Sequence, residues 1–126
     1  MSAYVKLPLR EPEQEWLRGA LAELDGYVSS ALLATEAIRA CGRYGSAYAH
    51  DAREWLGGVA LLPLDDSILD RAASLDPPLL RALDAVHLAT ALSVREDIGV
   101  LLTYDDRLAE AAKRYGMPVA GTAATH

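Results

Sequence analysis

Phenylalanine is absent from this 126-residue chain, and its two tryptophans and six tyrosines are scattered. No aromatic cluster therefore offers a stacking platform for single-stranded bases. A single cysteine, Cys41, excludes an internal disulfide and fits a reducing cytoplasm, where it fills core space. Cations are also scarce: 12 Lys and Arg against 18 Asp and Glu give a net charge of -6. That balance excludes a broad basic face gripping nucleic acid. It leaves open a nucleic-acid substrate whose charge is met by a divalent metal held on carboxylates. No apolar run approaches the ~18 residues needed to cross a bilayer. The first residues carry Lys6, Arg10, Glu11 and Glu13 instead of the layout of a secretory signal, so neither export nor membrane anchoring is expected. A Gly-rich phosphate loop, a Gly-x-Ser-x-Gly elbow and a Cys-x-x-Cys pair are missing too.

What is present suits one domain. At this length roughly two-thirds of the unfolded surface can be buried, and 52% apolar with 24% charged residues supports one core under an ordinary surface. There is no repeat, low-complexity stretch or linker, and Pro77-Pro78 is a local stop. A helix is expected from Pro12 to Gly26, followed by a short strand at Tyr27–Ser29. Ser30 then caps a helix over Ala31–Tyr44 that Gly45 closes, and a further helix covers Ala47–Leu56. Val59–Leu64 reads as a buried strand and Asp65–Leu75 as a helix ended by the prolines. Leu79–Asp97 contains a long helix that is apolar almost all round. Gly99–Tyr104 is a strand, Asp106–Tyr115 a helix closed by Gly116, and Met117–Ala120 a last short strand. Strands alternating with helices predict an α/β domain over residues 1–121 with a parallel sheet covered on both faces, and a loose tail over 122–126.

The chemistry rests on carboxylates. From Leu83 to Val94, Asp84 is the only charge. At about 100° per residue it shares a face with Leu88 and Ala91. A carboxylate there must be hydrogen-bonded, paired or metal-bound, and the competing reading is a helix cap. His87, one turn further along, reads as a buried, hydrogen-bonded histidine with no partner at a zinc-ligand spacing. Asp105 and Asp106 follow a strand end and precede a helix, the place where open parallel sheets bind ligands; one of them can cap while the other points at a metal. Glu36 lies at the edge of its helix's polar arc, where a surface ion pair with Arg39 or Arg43 is the plain alternative to a site role.

Two blocks, Leu80-Arg81-Ala82-Leu83-Asp84-Ala85-Val86-His87-Leu88-Ala89-Thr90-Ala91 and Leu101-Leu102-Thr103-Tyr104-Asp105-Asp106-Arg107-Leu108-Ala109-Glu110-Ala111-Ala112, in that order and spacing, resemble a PIN-domain ribonuclease of the VapC toxin type. Ser2-Ala3-Tyr4-Val5-Lys6-Leu7, Glu11-Pro12-Glu13, and Ser29-Ser30 followed by Glu36 add weaker matches, so the likeness covers nearly the whole chain. The resemblance implies a three-layer α/β/α sandwich with a central, mainly parallel sheet, and a cluster of acids at its carboxyl edge that binds Mg²⁺ or Mn²⁺. It assigns catalytic and metal-binding roles to Asp84, Glu36 and Asp105, with Asp106, Ser2 and Thr103 as secondary members. The implied function is metal-dependent cleavage of tRNA, rRNA or mRNA that inhibits translation. The implied partner is a VapB-like antitoxin placing a basic side chain near the acids. A homodimer in the cytoplasm is implied as well.

The chain departs from the family at its start. Members begin with a short apolar strand ending in Asp, followed by Thr or Ser and then Ser-Ala; here Met1 stands at the Thr or Ser position. That strand lies in the centre of the sheet, so its loss is expected to leave neighbouring backbone unpaired, at about 1–3 kcal/mol for each buried group. A start placed too late is the favoured explanation. A catalytically impaired PIN module that still binds an antitoxin is the alternative. A phosphatase-like or receiver-like domain is disfavoured, because no Lys ends either clear strand.

Overall fold

Leu101 and Leu102 are adjacent in sequence, yet each is buried in a different apolar core. Side chains on a strand point alternately to the two faces of a sheet, so these two leucines mark a sheet that is covered on both sides. The computed structural model describes residues 2–6, 27–103 and 105–120, and for 2–6 the backbone only. In chain order the elements are β1 (Ser2–Lys6), β2 (Tyr27–Ser30), α1 (Leu32–Gly42), α2 (Ser46–Leu56), β3 (Val59–Leu62), α3 (Asp66–Ala73), α4 (Ala82–Ser93), a 3-10 turn (Arg95–Asp97), β4 (Ile98–Thr103), α5 (Asp106–Arg114) and β5 (Val119–Ala120). All strand pairs are parallel, in the order β3-β2-β1-β4-β5.

The strand order explains the layers. From β1 the chain winds outward through β2 to β3, then returns to add β4 and β5 on the other side. When the direction of winding reverses, connecting helices change face. Accordingly Leu33, Ala37 and Cys41 of α1 and Ala52 and Leu56 of α2 pack with Val59 and Leu102 on one face. Ile68 and Ala72 of α3, Leu88 and Leu92 of α4, and Leu108 and Ala112 of α5 pack with Leu101 on the other. This is the α/β/α sandwich expected. Cys41 is buried in the first core, and Trp55 packs its ring 5.9 Å from that of Tyr27.

Local sequence accounts for most element ends. Ser30 Oγ accepts the Leu32 N–H at 3.0 Å, so it caps α1 from two residues before the helix starts. Asp65 caps α3 by accepting the Ile68 N–H at 2.9 Å. Gly116 takes φ +80 after α5, a conformation that side chains other than glycine's disfavour. The long apolar segment is shorter than its pattern suggests: α4 ends at Ser93 and a 3-10 turn follows. The helix expected from Pro12 to Gly26, the residue Tyr104 and the tail 122–126 lie outside the described residues.

One expectation is corrected. The centre of the sheet is not vacant, because Ser2–Lys6 fills it. Ala3 and Tyr4 pair with Tyr27 and Val28 of β2, and Ala3 through Lys6 pair with Val100 through Thr103 of β4. Two flanking strands present backbone donors and acceptors that demand partners, and Tyr4-Val5 are strand-favouring residues able to supply them. Among the described residues, no helix is long and apolar enough to cross a membrane.

Leu101 is fully buried between α4, α5 and the sheet. Leu101→Ala should therefore cost about 2–5 kcal/mol in urea unfolding; a loss below about 1 kcal/mol would contradict this account of the core.

Candidate active site

In a sheet that reverses its winding, the crevice lies outside the carboxyl ends of the strands at the reversal. Here those ends are Ser30 of β2, Lys6 of β1 and Thr103 of β4, the last two in register with each other. Helices α1 and α5 start directly after this edge. The twelve residues of α4 rise about 18 Å and lead to the amino end of β4, so α4 also starts there.

Asp84 is the third residue of α4 and is only 6% exposed. It is not the cap, since Arg81 holds that position and makes no side-chain cap bond. A carboxylate in the first turn is favoured by the helix dipole. His87 follows at i+3, on the same side of α4, and is fully buried at 0% exposure. Its Nε2–H donates to Oε1 of Glu36. Glu36 is therefore no freely solvated surface ion: its side chain is 21% exposed and points at α4. The bond spans the two layers, because α1 packs on one face of the sheet and α4 on the other. Glu36 thus bonds to a ring that stands one helical turn after Asp84, a residue 48 positions away in the sequence.

Asp105 is half-buried and caps α5, its Oδ1 accepting the N–H groups of Arg107 at 2.8 Å and Leu108 at 3.1 Å. Thr103 is fully buried at the end of β4, and its Oγ1 accepts the Asp105 N–H at 3.0 Å. Thr103 thus shapes the turn that presents Asp105. Asp106 is exposed and borders a different cleft, beside Leu79, Leu80 and Arg107. Ser2 is corrected outright. It pairs in register with Ile98, the first residue of β4, and so stands at the amino edge, about 16 Å of strand from Thr103. Tyr44 and Tyr48 do touch, with centroids 6.1 Å apart, but edge-on at 62° and at the far end of α1, so they form no stacking platform at this edge.

The side chains gathered at the edge offer carboxylate and hydroxyl oxygen, the donors that hard divalent cations take. Among the described residues, no three His, Cys, Asp or Glu side chains group closely enough to hold a metal ion alone. By donor type the acids suit a hard ion that keeps several waters, and by spacing they form no closed cage. His87 is the residue that sequence reasoning left out of the site. Its signal was a polar ring in a helix apolar on every side, which must find a partner.

Residues 2–114 match the PIN domain family. The chain is 47% identical to Ribonuclease VapC46 of Mycobacterium tuberculosis over 118 residues, covering 94% of this chain and 91% of that protein. It is 33% identical to Ribonuclease VapC47 of the same species over 128 residues, covering 98% and 94%. Ribonuclease VapC35, also from that species, is 34% identical over 122 residues, covering 94% and 90%.

The two bonds accepted by Asp105 separate its cap role from its charge. Asp105→Ala should lose about 0.5–2 kcal/mol in urea unfolding while Asp105→Asn, an equally good cap, stays within a few tenths. Equal losses from both would contradict the cap.

Proposed function

This chain belongs to the PIN-domain family, in its VapC-type branch, and from that premise we propose that it is a metal-dependent endoribonuclease toxin. The observation that carries the reading is the hydrogen bond from His87 of α4 to Glu36 of α1, with buried Asp84 one turn before His87 on the same helix. Asp105, held by its cap bonds at the start of α5, follows the carboxyl end of β4. Glu36, Asp84 and the second oxygen of Asp105 would hold Mg²⁺ or Mn²⁺. When bound, such an ion neutralises phosphate charge and activates water for attack on phosphorus. The requirement follows from charge, since a chain of net charge -6 repels a polyanion unless a cation intervenes.

The residues themselves divide the work. Glu36 and Asp84 would orient the ion, and the burial of Asp84 and partial burial of Glu36 shield their carboxylates from water, which strengthens their electrostatics. Thr103 and the α5 cap fix the turn that carries Asp105. Cleavage of tRNA, rRNA or mRNA would inhibit translation. A VapB-like antitoxin with a basic side chain suits the acidic edge by charge complementarity. A homodimer is favoured by exposed apolar side chains, Leu79 at 89% in the cleft that Asp106 borders, and Leu69 and Leu83 elsewhere on the surface. A lone cysteine is consistent with a reducing cytoplasm.

Incubation with total tRNA and rRNA plus Mn²⁺ should give discrete cleavage products that EDTA abolishes and added Mn²⁺ restores. Asp84→Asn should cut at least ~100-fold more slowly. Cutting that survives EDTA or Asp84→Asn would contradict the reading. A wild-type chain that binds the antitoxin and cuts nothing would favour a catalytically impaired binding module.

A further inference from the structure

We propose that His87 is the positioning residue for Glu36: a buried imidazole on α4 that sets the placement of a carboxylate belonging to α1. The proposal rests on the reading of Glu36 as a metal-binding acid. Exposure gives the bond its direction of action. His87 is wholly inside, packed in a helix buried from His87 through Leu92, whereas Glu36 retains 21% of its side-chain exposure at the rim. The imidazole is thus the fixed end and the carboxylate the end that would otherwise swing, since a glutamate side chain has three rotatable bonds.

Place on the helix gives the bond its consequence. Asp84 precedes His87 by three residues on the same side of α4, so a Glu36 tied to His87 is held at a set separation from Asp84. The two acids come from helices on opposite faces of the sheet, and this hydrogen bond is a direct link between them across its carboxyl edge. An apolar side chain would suit this fully buried position at least as well. The imidazole contributes what leucine cannot, an N–H aimed at Oε1 of Glu36. Groups that hydrogen-bond to metal-binding side chains set the ligand's orientation, and their loss weakens metal affinity about 10–100-fold.

The test is a titration of the full chain with Mn²⁺ alone, reading free Mn²⁺ by electron paramagnetic resonance, with urea unfolding in parallel. His87→Leu should stay folded and bind Mn²⁺ about 10–100-fold more weakly. His87→Gln, whose amide N–H reaches where Nε2 stood, should recover most of that loss. In a Glu36→Gln background, His87→Leu should add nothing. Should His87→Leu not fold, His87→Asn, which keeps an amide but places it short of Glu36, replaces it against His87→Gln. Wild-type affinity in His87→Leu, no recovery in His87→Gln, or an undiminished effect in the Glu36→Gln background would each overturn the positioning role. A wild-type chain without Mn²⁺ affinity, or a Glu36→Gln variant that binds as well as wild type, would overturn the metal-site reading itself and this role with it.

Discussion

Helix α4 is enclosed on nearly every side, with α3 and α5 beside it and β2 beneath. A helix so placed has no solvent to satisfy its polar groups, so Asp84, His87 and Thr90 must be answered by the protein. Thr90 turns its hydroxyl back to the carbonyl of Val86 at 2.7 Å. His87 reaches across to Glu36 of α1. Asp84 sits in the first turn, where the helix dipole favours its charge. Burial of one apolar helix thereby gathers polar groups from both layers at a single edge.

That edge follows from the path of the chain. With β1 in the centre and winding that reverses around it, α1 and α2 cover one face and α3, α4 and α5 the other. Helices α1, α4 and α5 then all begin at the carboxyl ends of the strands. Asp84 in the first turn of α4 and Asp105 at the cap of α5 are favourable end-of-helix charges, whereas Glu36 lies one turn further along α1, whose first turn holds no acid. Asp105 shows both readings in one side chain, since Oδ1 caps α5 and the residue still stands at the reversal. Capping and site membership are compatible descriptions of a two-oxygen group.

Much of this was legible in the sequence. Apolar periodicity places α4 and β4 to within a few residues, and the rule for open parallel sheets singles out the strand end that Asp105 follows. Glu36 was not decidable from its own helix, because its partner lies 51 residues away and belongs to another layer. His87 could be read as buried and bonded, but not to what, for the same reason. Ser2 was misplaced because strand register is a tertiary property: pairing with Ile98 sends it to the amino edge. The central strand was misjudged for a related reason. Which segment fills a position in a sheet depends on the neighbouring strands that need partners, and Ser2–Lys6 meets that need.

The central claim is that acids from both layers form one cation site at the carboxyl edge of the sheet. Crystals of the protein grown with Mn²⁺ and measured at the manganese absorption edge test it most directly. The account predicts an anomalous peak in contact with carboxylate oxygens of both Asp84 and Glu36. A saturated crystal with no peak at that edge, or with manganese held only by residues elsewhere, would contradict it.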